Sequence, residues 1–134
     1  MFKKIYNNMG KPKGFFGRHF LRKMNVHHAE LSAWGRGFLN LPEASVILDA
    51  GCGGGANIAA LLEKFPHSFV HGLDYSEESV VLSRKHNANY IGKRCEIVQG
   101  NILSTPYGGG QFDAVTAVEA IYFWKDVVKA FSEV

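Results

Sequence analysis

The chain of 134 residues is 46% hydrophobic and 20% charged, with a formal net charge of +3. This describes one ordinary globular domain able to bury a core without disulfides, and it excludes collagen-like, low-complexity and disulfide-stapled classes. No stretch approaches the roughly 20 consecutive apolar residues that span a bilayer, and no apolar run follows the basic N-terminus as in a secretory signal, so a cytoplasmic protein with no membrane partner is expected.

Charge is divided along the chain. Lys3, Lys4, Lys11, Lys13, Arg18, Arg22 and Lys23 precede the first acid, Glu30, and Phe2, Tyr6, Phe15, Phe16 and Phe20 are interleaved with them. Residues 1–28 therefore read as a basic N-terminal arm. Its plainer form has solvated lysines and aromatics packed on the domain. Tyr6, Phe16, His27 and His28 suit it to cover a ligand as a lid.

Residues 29–134 read as a single α/β domain. Ala29 to Leu39 is expected to form a helix that packs Leu31, Trp34 and Phe38 on a sheet edge, although Gly35 and Gly37 weaken it. Val46-Ile47-Leu48 predicts a first strand, followed at once by Gly51-Cys52-Gly53-Gly54-Gly55 and a helix from Ala56 to Lys64 that stops before Pro66. Ser68 to Leu73 predicts a second strand ending at Asp74. Ser76, with Glu77 and Glu78 behind it, looks like the N-cap of a helix reaching about Asn89. Cys95 to Gln99 and Phe112 to Val118 complete four strands, with a turn region at Pro106 to Gly110 between them. A helix from Asp126 to Val134 places Val127, Val128, Phe131 and Val134 on one side.

Short apolar runs alternating with longer mixed stretches predict βαβ units, hence a Rossmann-like parallel sheet flanked by helices, with an N-terminal helical segment. The last helix has no glycine cap and no strand after it. The chain is thus expected to be C-terminally incomplete, with a fourth strand whose bare edge invites self-association. Cys52 and Cys95 show no CxxC or Cys/His spacing, so free thiols and no metal site are expected.

The chemistry concentrates at the glycine-rich bend after the first strand, where a bare backbone can approach a ligand closely. Gly51, Gly53 and Ala56 satisfy the dinucleotide pattern GxGxx(G/A), and Asp74 lies near the distance at which a carboxylate holds a ribose. That keeps a nicotinamide-dependent oxidoreductase open. Asp49 argues against it, because a carboxylate two residues before the first glycine repels a pyrophosphate and attracts an ammonium or sulfonium cation. A cationic nucleoside, S-adenosylmethionine, fits better, its carboxylate accepting from the amides of the bend.

Val46-Ile47-Leu48-Asp49-Ala50-Gly51-Cys52-Gly53-Gly54-Gly55 resembles motif I of the class I S-adenosylmethionine-dependent methyltransferases. Gly72-Leu73-Asp74-Tyr75-Ser76 resembles their acidic ribose-binding motif, Gln99-Gly100-Asn101-Ile102 their adenine-contacting turn, and Phe112-Asp113-Ala114-Val115 their fourth-strand motif. The resemblance implies that Asp49, Gly51, Cys52 and Gly53 flank the methionine moiety, that Asp74 binds the ribose, and that Tyr75, Asn101 and Ile102 contact the adenine. Asn101 departs from the family's usual Asp. The resemblance also implies a seven-stranded sheet, of which only the first four strands are present.

Glu119-Ala120-Ile121-Tyr122-Phe123-Trp124 follows the fourth strand and is the expected acceptor surface. Glu119 and Tyr122 are the candidate catalytic residues, and Tyr122 with Trp124 would enclose the sulfonium. The implied activity is methyl transfer to a small-molecule acceptor, with no metal and with nucleic acid not expected as a partner. An oxidoreductase domain, or a non-catalytic nucleotide-binding module with a nucleic-acid-binding basic arm, are the alternatives.

Overall fold

The computed structural model describes Gly14, His19 and residues 29–134. The expected arm or lid over 1–28 otherwise lies outside the described residues. Four strands form one parallel sheet: β1 (Val46–Ala50), β2 (Phe69–Asp74), β3 (Cys95–Gln99) and β4 (Ala114–Thr116), in the order β3-β2-β1-β4. Helices α1 (Ala29–Arg36), α2 (Ala56–Lys64), α3 (Glu77–His86) and α4 (Val127–Glu133) and a 3-10 turn at Ile121–Phe123 complete the elements among the described residues.

One sheet face is closed by α2 and α3. Ile47, Val70, Cys95 and Ile97 meet Ile58, Leu61 and Leu62 in a fully dry cluster. On the other face Leu48, Ala50 and Leu73 lie under Ile102, Tyr107, Phe112 and Trp124, which come from the connecting segments. Burial of both faces is why β1 reads as a continuous apolar run. Both cysteines are free and buried.

Local signals acted as expected at the helix starts. The Ser76 hydroxyl accepts from the Ser79 amide, and the Asp126 carboxylate caps α4 by accepting from the Lys129 amide. The predicted strand from Phe112 to Val118 is trimmed to three residues. Asp113 accounts for its start, because its side chain accepts from the Val46 amide at 2.7 Å while its own amide donates to the Val46 carbonyl. Phe112 is left free of the ladder and packs edge-on against His71 and Tyr107.

Two apolar faces differ from expectation. In α1 the stripe of Leu31, Trp34 and Phe38 points to solvent, with Trp34 66% exposed, and the buried residue is Ser32. The helix is turned this way because Ser32 and Arg36 hydrogen-bond to Asn57 on α2. In α4, Val128 and Phe131 are exposed and only Ala130 is buried. Trp124 meets the Phe131 ring edge-on, and Val128 remains exposed.

Candidate functional site

The bend between β1 and α2 is set by backbone conformation. Gly51, Gly53 and Gly55 all have positive φ, and a Cβ on Gly51 would lie 2.7 Å from that of Ala120. Gly55 caps α2 in the left-handed region, and the buried Asn87 at the end of α3 donates to the Gly55 carbonyl at 3.0 Å. Asn87 was expected inside a longer α3. It is instead the C-cap of that helix and the strut that holds the bend.

The amides of the bend point inward. Gly51 and Cys52 donate to the Leu73 carbonyl, Gly55 donates to the Cys52 carbonyl, and Gly53 donates to the Asp74 carboxylate at 2.8 Å. These four amides are thus engaged within the protein, and a ligand carboxylate or pyrophosphate at the bend would not have them as free donors.

Two cavities meet at the bend, sharing Gly51, Gly53 and Val118. The first, about 210 Å³, lies at the C-terminal ends of the strands and brings together Asp74, Tyr75, Asn101 and Ile102 with Glu119, Phe123 and Trp124. The second, about 270 Å³, is walled by Asp49, Asn57, Ser32 and Arg36.

Asp74 ends β2 with both oxygens engaged, one by the Gly53 amide and the other by the Ser76 amide at 2.9 Å. The Ser79 hydroxyl and the Tyr75 amide also hydrogen-bond to it, so a ribose hydroxyl competes with them for its lone pairs. Burial raises its pKa above the ordinary carboxylate value. Tyr75 exposes 54% of its surface at the mouth of the same cavity. Asn101 Oδ1 accepts from the Leu103 amide at 2.9 Å, which leaves its NH₂ to donate and one lone pair to accept at a base edge. Ile102 packs on the Leu48, Ala50 and Leu73 cluster from the cavity side.

Asp49 is buried on β1, in register with Thr116 of β4. Its Oδ1 accepts from the Thr116 hydroxyl at 2.6 Å and from Asn57 Nδ2 at 2.8 Å. Burial pushes its pKa up to about 6, against the smaller opposing effect of those two bonds. Cys52 belongs to the core cluster, so it offers the cavity backbone rather than thiol, and burial drives that thiol's pKa well up.

Glu119 stands after β4 with φ +51, uncommon outside glycine, and accepts from the Tyr122 hydroxyl. Tyr122 itself is 58% exposed and lies outside the cavity wall, which Phe123 forms in its place beside Trp124. The pairing of Tyr122 with Trp124 around the cavity is thus corrected to Phe123 with Trp124. Sequence reading also missed Arg36, Asn57 and Asn87. As single polar residues on helices, they carry no pattern that separates them from solvated positions.

A parallel α/β sheet with a carboxylate after β2 and a ligand-sized cleft over the first bend defines a nucleoside-binding fold of the Rossmann-like methyltransferase kind. Residues 47–134 match the family described as methyltransferase domain, and the chain belongs to that family. It is similar to 24-methylenesterol C-methyltransferase 2 of Oryza sativa subsp. japonica, with 36% identity over 75 residues, covering 55% of this chain and 20% of the relative. It is also similar to cycloartenol-C-24-methyltransferase of Arabidopsis thaliana, with 28% identity over 97 residues, covering 72% of this chain and 29% of the relative. The chain thus spans less than a third of the length of these curated relatives. Among solved structures, a SAM-dependent methyltransferase from Aquifex aeolicus superposes with a TM-score of 0.75 at 18% identity, over 87% of this chain and 64% of that one. Among the described residues, no helix is long and apolar enough to cross a membrane, and no group of three or more His, Cys, Asp and Glu could hold a metal.

Proposed function

We propose that the chain binds S-adenosylmethionine across the bend and serves methyl transfer to a small-molecule acceptor. The observation that carries this reading is the inward turn of the amides of Gly51, Cys52, Gly53 and Gly55, beside the buried carboxylate of Asp49 and the half-buried one of Asp74. A diphosphate would lose those four amides as donors and meet the negative charge of Asp49 and Asp74, whereas a cationic nucleoside is favoured.

When bound, S-adenosylmethionine supplies a methyl group already activated by its positively charged sulfur. The residues then have positioning to do. Asp74 accepts from the ribose hydroxyls, Tyr75 and Ile102 sandwich the adenine, and the Asn101 amide donates to its edge. Gly51 and Gly53 let the backbone come close at the junction of the two cavities, with Asp49 beside them. Phe123 and Trp124 face the developing site and exclude water, their rings favouring a cation. Glu119 orients the acceptor and takes its proton where one is released, and Tyr122 is a positioning residue that holds Glu119 from outside. Orientation of this kind can supply on the order of 7 to 11 kcal/mol in the best intramolecular models. The apolar wall that Val118, Phe123 and Trp124 form around Glu119 suits a small organic acceptor, as do the relatives named for transfer to 24-methylenesterol and cycloartenol.

Calorimetric titration with S-adenosylhomocysteine and with NADH tests the reading. Saturable binding of the first and none of the second is expected, and tight NADH binding without a response to the nucleoside thioether would overturn it.

A further inference from the structure

The apolar stripe of α1 lines neither cavity. Trp34 and Phe38 are 66% and 71% exposed beside the half-exposed Leu31, and the two rings meet edge-on with centroids 5.0 Å apart. The outward turn of this stripe is fixed, because Ser32 and Arg36 on the opposite side of the helix bond to Asn57 on α2. Lys64 reaches the end of the stripe, where its Nζ donates to the Arg36 carbonyl at 2.6 Å.

Charge singles out the same end of the chain. Eight lysines and arginines but one acid, Glu30, fall within residues 1–39, so with histidines neutral this end carries +7 and the remainder −4. An anionic surface attracts the first and repels the second, which turns the stripe toward it. A second copy is a poor occupant. Symmetric pairing through this face would set one +7 end against another, and three side chains of at most about 150 to 250 Å² each fall short of the roughly 800 Å² per partner of a stable dimer. Nucleic acid would meet the charge but leave Leu31, Trp34 and Phe38 unused. A lipid interface uses both, since it takes aromatic rings at headgroup depth, needs no matching shape, and attracts each lysine and arginine near it.

We propose that α1 docks this chain on the surface of a membrane containing anionic lipid, with Leu31, Trp34 and Phe38 inserted at the headgroup boundary and the basic end of the chain held against the phosphates. The expectation of no membrane partner rested on the lack of a spanning run, which such docking does not need. Docking is also independent of nucleoside binding.

Co-sedimentation of the full chain with vesicles tests the docking, using phosphatidylcholine alone and phosphatidylcholine mixed with phosphatidylserine. Binding to the mixed vesicles is expected to be at least about tenfold tighter than to the neutral ones, with a blue shift of tryptophan emission. Trp34→Ser and Phe38→Ser should each weaken it by roughly tenfold, whereas Trp34→Phe should retain most of it and Val128→Ser, on the exposed face of α4, should leave it unchanged. Urea midpoints near that of the wild type show that the variants are folded, and the comparison of the two vesicles needs no variant. Equal sedimentation with both vesicles, or with neither, overturns the docking, as does binding that survives Trp34→Ser and Phe38→Ser together or falls as far in Val128→Ser. A chain that is shifted by duplex DNA and ignores vesicles assigns the basic end to nucleic acid, and a dimer dispersed by Trp34→Ser assigns the stripe to a second copy; either result also overturns it.

Discussion

Replacing Asp49 with Asn separates what its charge does for folding from what it does for binding. The carboxyl is buried and its pKa is raised from 3.8 to about 6. The folded chain therefore holds this proton more tightly than the unfolded one, and stability falls as pH rises through the window from about 4 to about 6. At about 1.4 kcal/mol per pH unit the cost of the ionised form is about 3 kcal/mol, nearly all of it present by pH 7.5 and little at pH 4. Asparagine keeps an oxygen for Thr116 and Asn57 and does not titrate. Urea unfolding at both pH values should show Asp49→Asn gaining about 2 to 3 kcal/mol on the wild type between pH 4 and pH 7.5, other titrating groups cancelling in the comparison. The same variant should lose preference for S-adenosylmethionine over its uncharged thioether product. A stability difference independent of pH would refute the burial of an ionising carboxylate, and an unchanged cation preference would refute its electrostatic role.

Asp74→Ala removes the partner of the Gly53 and Ser76 amides as well as the ribose acceptor. S-adenosylhomocysteine affinity should fall by about 1.5 to 3 kcal/mol in titration calorimetry, and unchanged affinity in a folded variant would refute the assignment. Gly51→Ala combines a left-handed backbone with a Cβ 2.7 Å from that of Ala120. It should cost at least about 1 to 2 kcal/mol in denaturant unfolding, and a neutral result would mean the bend is not built as described. Trp34→Ser, on the outward stripe of α1, should change stability by no more than about 0.5 kcal/mol; a loss of several kcal/mol would show that the face is covered.

Much of this architecture was legible in the residues. The β-branched run at Val46-Ile47-Leu48 and the cap at Ser76 are local signals, and local physics decides them. Orientation was not legible. The period of Leu31, Trp34 and Phe38 says that α1 has an apolar face but not what that face meets, and a serine hydrogen-bonded to Asn57 turned it outward. Phe112 was read into β4 by its propensity, yet the strand starts only at Ala114, after Asp113 has bonded Val46 through its side chain. The glycines announced a bend, but whether their amides face a ligand or the β2 carbonyl depends on Leu73 and Asp74, more than 20 residues away. For the same reason Asp49, Asp74 and Asn101 could be named from sequence. Arg36 and Asn57, which converge across 21 positions, could not.

The central claim is that the bend takes a cationic nucleoside, held through Asp74, and not a dinucleotide. A crystal structure of the chain soaked with S-adenosylhomocysteine tests it most directly. The expected density places the ribose hydroxyls on Asp74 and the adenine beside Tyr75 and Asn101. A nucleoside seated elsewhere, or phosphate density gathered around the bend after a dinucleotide soak, would contradict it.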